Sequence, residues 1–352
     1  MRRVSKIAAA GVVSAALALT ATACGSSTTS DSGSSGSSSS SGSGGKGVGM
    51  AYDVGGRGDH SFNDSAARGM DKAVKEFSLG SKEQTASQDE TESDREERLD
   101  QLAGAGYNPV IAVGYTYGDA VTKIAKKYPK TTFAIVDSVV DAPNVDSMTF
   151  ATEQSSYLAG VAAALKTKTG KVGFIGGVHN TLIGTFQAGF DQGVKDTKPS
   201  VQVTDQYLYE TDSKGFADPT AAAGKAKGML DKGIDVIYTA AGLSGDGSIQ
   251  TVAGKPGTWA IGVDSDQYQD PALAKYKNQI LTSAVKNVDV AVYDLIKSVH
   301  DGSPKVGTNT YNLANGGVSL ATSGGFLTDI QSQLDTAKQK VVSGAIKVKS
   351  TP

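Results

Sequence analysis

The sequence predicts an α/β protein of two lobes with a ligand cleft between them, on three observations. Short apolar runs end at Tyr52, Val113, Val136, Ile175, Tyr238 and Val263, with helical patterns between them. That alternation builds parallel sheets covered by helices on both faces. A helix opening with Ser61-Phe62-Asn63 and Arg68-Gly69-Met70 is echoed by Gly184-Thr185-Phe186 and Ala188-Gly189-Phe190, which suggests two lobes of one architecture. Finally, Asp53, Asp137 and Asp264 each follow an apolar run directly, at the sheet edge where open α/β folds hold ligands.

The elements are expected in this order. Positions 1–23 read as a lipoprotein signal peptide: Arg2, Arg3 and Lys6 precede an apolar stretch from Ile7 to Thr20, too short for a comfortable membrane span. Ala21-Thr22-Ala23-Cys24 resembles a lipobox, with Ala21 where Leu is usual, so Cys24 is the expected lipidation site. Being the single cysteine, it also rules out an intramolecular disulfide. The stretch 24–46 is the lipidated cysteine and a Ser/Gly-rich tether that cannot bury apolar surface, with a mean span of roughly 25 Å. The expected location is the cell membrane, anchored by lipid on the extracytoplasmic face.

In the mature chain, Phe62, Ala66, Met70, Ala73, Val74 and Phe77 share one helical face. Helical patterns continue from Glu92 to Ala105, Asp119 to Lys127, Gln154 to Leu165, Thr181 to Val194, Pro219 to Leu230, Val288 to Val299 and Thr328 to Val341. The expected lobes are 47–150 with 283–310, and 151–282 with 311–352. A net charge of −2 provides no basic field for nucleic acid.

The chemistry points to a neutral, hydroxyl-rich guest. Carboxylates at strand ends accept O–H donors in charge-assisted bonds and repel phosphate. Gly55-Gly56-Arg57-Gly58 approaches a dinucleotide fingerprint, but Ser61 stands where its third glycine belongs, and Asp59 adds a further carboxylate. Gly242-Leu243-Ser244-Gly245-Asp246-Gly247 has no Lys-Ser/Thr pair for a P-loop, and Asp246 removes the nucleophile-elbow pattern. His60, His179 and His300 lack metal-ligand spacing, the first two reading as solvated turn residues. No catalytic residue, metal or cofactor is therefore expected. Lys286 follows a strand expected to cross between lobes, positioned to meet Asp264 or a ligand. Phe216, in a loop, is a candidate for stacking on a flat ligand.

Together these motifs resemble the basic membrane protein family, lipid-anchored substrate-binding proteins of bacterial ABC transporters, several of which bind purine nucleosides. The resemblance begins at Tyr52-Asp53, Gly55-Gly56, Asp59 and Ser61-Phe62-Asn63. It continues through Phe133-Ala134-Ile135-Val136-Asp137, Tyr157-Leu158-Ala159-Gly160, Gly173-Phe174-Ile175-Gly176-Gly177 and Gly233-Ile234-Asp235-Val236-Ile237. It ends with Ala240-Ala241-Gly242, Ile261-Gly262-Val263-Asp264-Ser265-Asp266-Gln267 and Ser283-Ala284-Val285-Lys286-Asn287.

The resemblance implies a type I periplasmic-binding-protein fold, with two Rossmann-like lobes, three crossovers and the ligand between. It implies that Asp137 reads a base edge, that aromatics stack on the base, and that Asp264, Gly242 and Lys286 hold the ribose. Phe216 fits one stacking aromatic and Phe62 the other, with Tyr52 as substitute; Asn63 offers an amide, and Asp53 completes the expected ligand set. Implied partners are a nucleoside, the permease and ATPase subunits of an ABC importer, and the membrane through the anchor, with the protein a monomer. Alternatives are a binding protein for a sugar, autoinducer or other polyol, a sensor without transport, and an NAD-using enzyme, against which the failed fingerprint counts.

Overall fold

The computed structural model describes residues 46–352; the expected signal segment, Cys24 and the tether up to residue 45 lie outside them. The chain opens with β1 (Val48–Tyr52), α1 (Phe62–Phe77), β2 (Ser81–Thr85), α2 (Glu92–Gly104) and β3 (Val110–Val113). It continues with α3 (Gly118–Lys127), β4 (Phe133–Val136) and β5 (Val145–Phe150). A second run holds α4 (Thr152–Lys166), β6 (Lys171–Val178), α5 (Thr181–Thr197), β7 (Gln202–Tyr209) and α6 (Pro219–Asp231). It closes with β8 (Val236–Ala240), α7 (Gly245–Ala253), β9 (Trp259–Asp264) and β10 (Ile280–Lys286). Then come α8 (Val288–His300), β11 (Gly307–Tyr311), β12 (Val318–Leu320) and α9 (Gln331–Val342).

These strands form two six-stranded sheets, ordered β11-β5-β4-β3-β1-β2 and β12-β10-β9-β8-β6-β7. Every ladder is parallel except β10 with β12. The central strands β1, β3, β4 and β8 are wholly buried and, but for Thr239 in β8, carry no hydrophilic side chain save the Tyr hydroxyls, as suits parallel strands covered on both faces. The chain passes between sheets after Phe150, after Lys286 and after Tyr311. Two lobe boundaries therefore differ from the expectation. The whole of β10, through Lys286, pairs with β9 and β12 in the second sheet, so the crossing falls beyond residue 282. Likewise β11 runs to Tyr311 before the chain leaves the first sheet.

The echo between α1 and α5 has a packing cause. A Cβ on Gly69 would stand 2.3 Å from the Asp289 carbonyl oxygen of α8, and one on Gly189 2.1 Å from the Glu153 carbonyl oxygen of α4. Each glycine lets a lobe's first helix lie against a helix that has just arrived from the other lobe. Ser65 fixes the α1–α8 contact further, accepting from the Asp289 N–H at 3.3 Å.

Candidate functional site

Register places the strand-end residues side by side. Tyr52 pairs with Val113 and Val113 with Val136, so Asp53, Gly114 and Asp137 follow in a row along one edge. A side chain at Gly114 would meet Asp53 Oδ2 at 2.6 Å, so only glycine leaves that carboxylate its place. In the second sheet Asp264 closes β9 and Lys286 closes β10. The two edges face one cleft, lined from the first lobe by Asp53, Asp59, Phe62, Asn63, Tyr115 and Asp137. From the second lobe come Phe186, Phe216, Gly242, Asp264 and Lys286, with Leu182, Ile183, Ala240, Ala241 and Val263 between them.

Every residue selected from the sequence for ligand contact thus lines this cleft. Tyr52, the substitute for Phe62, does not. It is fully buried in the first lobe, and its hydroxyl donates to Glu83 at 2.8 Å, whereas Phe62 opens α1 at the cleft wall. Tyr115 and Phe186 line the cleft without having been selected. Tyr115 sits in the turn after β3, where no sequence signal marks it. Phe186 was visible only as part of the glycine-aromatic echo, since it lies within a helix whose spacing reads as core.

A hydrogen-bond lattice organises the first wall. Asp59 accepts from the backbone N–H groups of Ser61 (2.9 Å), Asn63 (2.8 Å) and Asp64 (3.0 Å), holding the N-terminus of α1. Asn63 Nδ2 donates to Asp53 Oδ1 at 2.8 Å and to Asp59 Oδ2 at 3.1 Å. Its Oδ1 is buried without a hydrogen-bond partner, as is Asp264 Oδ1. Asp137 and Asp264 both adopt left-handed backbone, with φ of 69° and 62°, a conformation that Asp tolerates better than most residues.

Lys286 is the only cation among the described residues that line the cleft. Its Nζ is ion-paired with Asp137 across the lobes, the two side chains only 3% and 4% exposed, and stands 4.5 Å from the centroid of the Phe62 ring. Burial pushes the Asp264 carboxyl up to about 6, Lys286 pulling it back while Asp137 and Asp59 push further. Asp59 is likewise raised to about 6 by burial, against the three backbone donors that favour its charged form. Burial holds Asp53 well above the ordinary range, with Asn63 opposing and the charges of Asp59 and Asp137 adding to the rise.

The lobes also meet beside the cleft. Ser61 Oγ donates toward Val263 O and Asp264 Oδ2, both at 3.1 Å, and Ser265 Oγ donates to Ser61 O at 2.6 Å. His60 is not the solvated turn residue its sequence context suggests. Half-buried, it places Nδ1 2.7 Å from Asp246 Oδ2 on α7. His179 does stand exposed, beside Glu210. No group of three or more potential metal ligands occurs among the described residues, and no helix among them is long and apolar enough to cross a membrane.

Two Rossmann-like lobes, joined by three crossings and facing a cleft at their strand ends, define a binding protein of the type I periplasmic fold. A family model described as ABC transporter substrate-binding protein, PnrA-like, matches residues 46–352. The chain belongs to this Bmp family of ABC transporter substrate-binding proteins, as its motifs led one to expect. It is 38% identical over 319 residues to the ABC transporter nucleoside-binding protein BmpA of Lactococcus lactis, covering 85% of this chain and 87% of the relative. It is 36% identical over 320 residues to the CD4+ T-cell-stimulating antigen of Listeria monocytogenes, covering 87% and 88%. The crystal structure of an ABC transporter solute-binding protein from Aeropyrum pernix superposes with a TM-score of 0.74 at 28% identity, covering 86% and 93%.

Proposed function

We propose that the protein captures nucleosides, purine ribonucleosides foremost, by closure of the lobes about their crossings and delivers them to an ABC permease. In this reading it works as a monomer held at the outer face of the cell membrane through a lipid on Cys24. One observation carries the choice of ligand: Asp264 Oδ1 and Asn63 Oδ1 are buried acceptors without partners, in a cleft also lined by Phe62, Phe186 and Phe216. Buried polar atoms are rarely left unpaired, and such acceptors match the O–H and N–H donors of a ribose and a base. The aromatic rings suit the flat base itself, each stack contributing about 1–3 kcal/mol.

In this reading Asp264, the Gly242 turn and Lys286 hold the ribose, and Asp137 reads the base edge. Asp53 orients Asn63, whose free oxygen meets a donor on the ligand. The predominance of carboxylates disfavours a phosphorylated ligand, which would meet several negative charges and, among the described residues, a single lysine. The 38% identity to a protein named as nucleoside-binding supports the same reading. The test is a thermal-shift and calorimetric panel of guanosine, inosine, adenosine, uridine, free bases and ribose. Stabilisation by purine ribonucleosides above all others is expected; stabilisation by ribose and not by any nucleoside would overturn the proposal. Loss of nucleoside uptake on deletion of the protein tests delivery.

A further inference from the structure

We infer that His60 and Asp246 form a cross-lobe latch that favours the closed cleft and makes ligand capture strengthen as pH falls toward neutral. The inference rests on the proposed role of the cleft as the capture site. His60 belongs to the loop before α1 in the first lobe and Asp246 to the first turn of α7 in the second; their side chains meet at 2.7 Å. Neither residue lines the cleft, so the contact acts on the lobes and not on the guest.

The geometry is built rather than incidental. His60 is held in left-handed backbone at φ 53°. Its N–H donates to Asp64 Oδ2 at 3.0 Å, and its carbonyl accepts from Gln267 Nε2 of the other lobe at 3.2 Å. Asp246 is buried, with Oδ2 on His60 and Oδ1 unpartnered, so among the described residues its charge has the imidazole as its one side-chain partner. Arg68 extends the same seam by donating to Ser265 Oγ at 3.1 Å. Ser61, Ser265, Gln267 and Arg68 do not change charge near neutral pH, whereas a histidine does.

The charged groups facing the imidazole are Asp246 from α7, Asp270 from the loop after β9 and Asp64 from α1. Burial pulls the imidazole pKa down, but the hydrogen bond and charge of Asp246, with Asp270 and Asp64, outweigh it and leave His60 above its ordinary value. Burial raises Asp246 as well, with His60 pulling it back and Asp270 adding to the rise. The contact itself thus favours the charged form of both partners, and near neutral pH the proton that closing the seam takes up lies on the imidazole. For His60, the contribution is full below the pKa of the open form and is lost as pH rises through the raised value of the closed form.

The test compares the full-length wild type, His60→Asn and His60→Lys by calorimetry with guanosine, inosine and adenosine between about pH 7 and pH 9. Asn suits the left-handed backbone and removes the cation; Lys restores a cation that does not titrate in this range. Wild-type affinity should weaken several-fold across the range. His60→Asn should bind roughly fivefold or more weakly at the lower pH with a flat profile, and His60→Lys should stay near the wild-type maximum throughout. A wild-type profile in His60→Asn, or equal weakening in both variants, would overturn the latch. Small-angle scattering without ligand supplies an independent readout. The wild-type radius of gyration should grow as pH rises, and His60→Asn should be expanded at every pH. Should no nucleoside bind at any pH, the nucleoside reading falls, and scattering still decides the latch: dimensions independent of pH and of His60 reject it.

Discussion

The two walls of the cleft are chemically unlike although the lobes that carry them share one topology. The first lobe offers mainly polar groups, namely Asp53, Asp59, Asn63 and Asp137, with Phe62 and Tyr115 at the helix start and strand turn. The second offers Leu182, Ile183, Phe186, Phe216, Ala240, Ala241 and Val263, interrupted by Asp264 and Lys286. Equivalent scaffolds have thus been given different tasks, one wall presenting hydrogen-bond acceptors and the other apolar area. The exceptions matter most, because they are the groups that reach across to the first lobe, Lys286 pairing with Asp137 and Asp264 accepting from Ser61.

The largest effect should come from removing Lys286, the one cation among the described residues that line the cleft. Lys286→Met leaves Asp137 buried and unpaired beside other carboxylates, and should destabilise the fold by roughly 3–5 kcal/mol in denaturant titrations. Next, Asp264→Ala should lower ribonucleoside affinity about a hundredfold by calorimetry with the circular dichroism spectrum unchanged; retained affinity would move the ribose elsewhere. The companion Asp264→Asn separates binding from stability. The native carboxyl titrates at about 6 against an ordinary 3.8, so its charged form costs the fold stability above that pH and none below 3.8. Asn should therefore raise Tm at pH 8, by an increment worth roughly 3 kcal/mol, and the gain should fade as pH falls through about 6 toward about 4.

Phe216→Ala probes the apolar wall and should weaken purine nucleosides by about 1–3 kcal/mol while leaving any affinity for free ribose unchanged. Asp137→Ala should relax discrimination among bases more than it weakens the sugar, read by comparing guanosine, inosine and adenosine. The smallest effect belongs to Tyr52→Phe, which loses the bond to Glu83 and costs about 1 kcal/mol of stability. Nucleoside affinity should not change, because Tyr52 points away from the cleft.

The parts legible in the sequence were those with a single physical demand. The central strands had to be apolar on both faces, which made their ends, and so Asp53, Asp137 and Asp264, readable. The strands β2 (SKEQT), β7 (QVTDQYLY) and β11 (GTNTY) escaped because they are sheet edges, partly exposed, with polar residues on both faces. The crossing after Lys286 was misplaced because β10 is buried along its whole length and carries no mark of the lobe to which it belongs. Phe186 was hidden by its helix, where one aromatic meets both core and cleft. His60 was hidden because its partner lies 186 residues away, a pairing that no local pattern announces.

The interlacing of the two lobes also governs the order in which the protein can assemble. In the finished sheet β5 is covered by β11, and α1 is covered by α8, yet both covering segments follow the whole stretch from α4 to β10. Until Val288–His300 and Gly307–Tyr311 have joined, the first lobe carries an unpaired β5 edge and an open helix face. Such edges invite pairing with other chains, and contacts so distant in sequence form slowly. The second lobe, whose strands β6 to β10 arrive in one continuous segment, can gather most of its sheet first, leaving the edge and outer helix of the first lobe to be completed last.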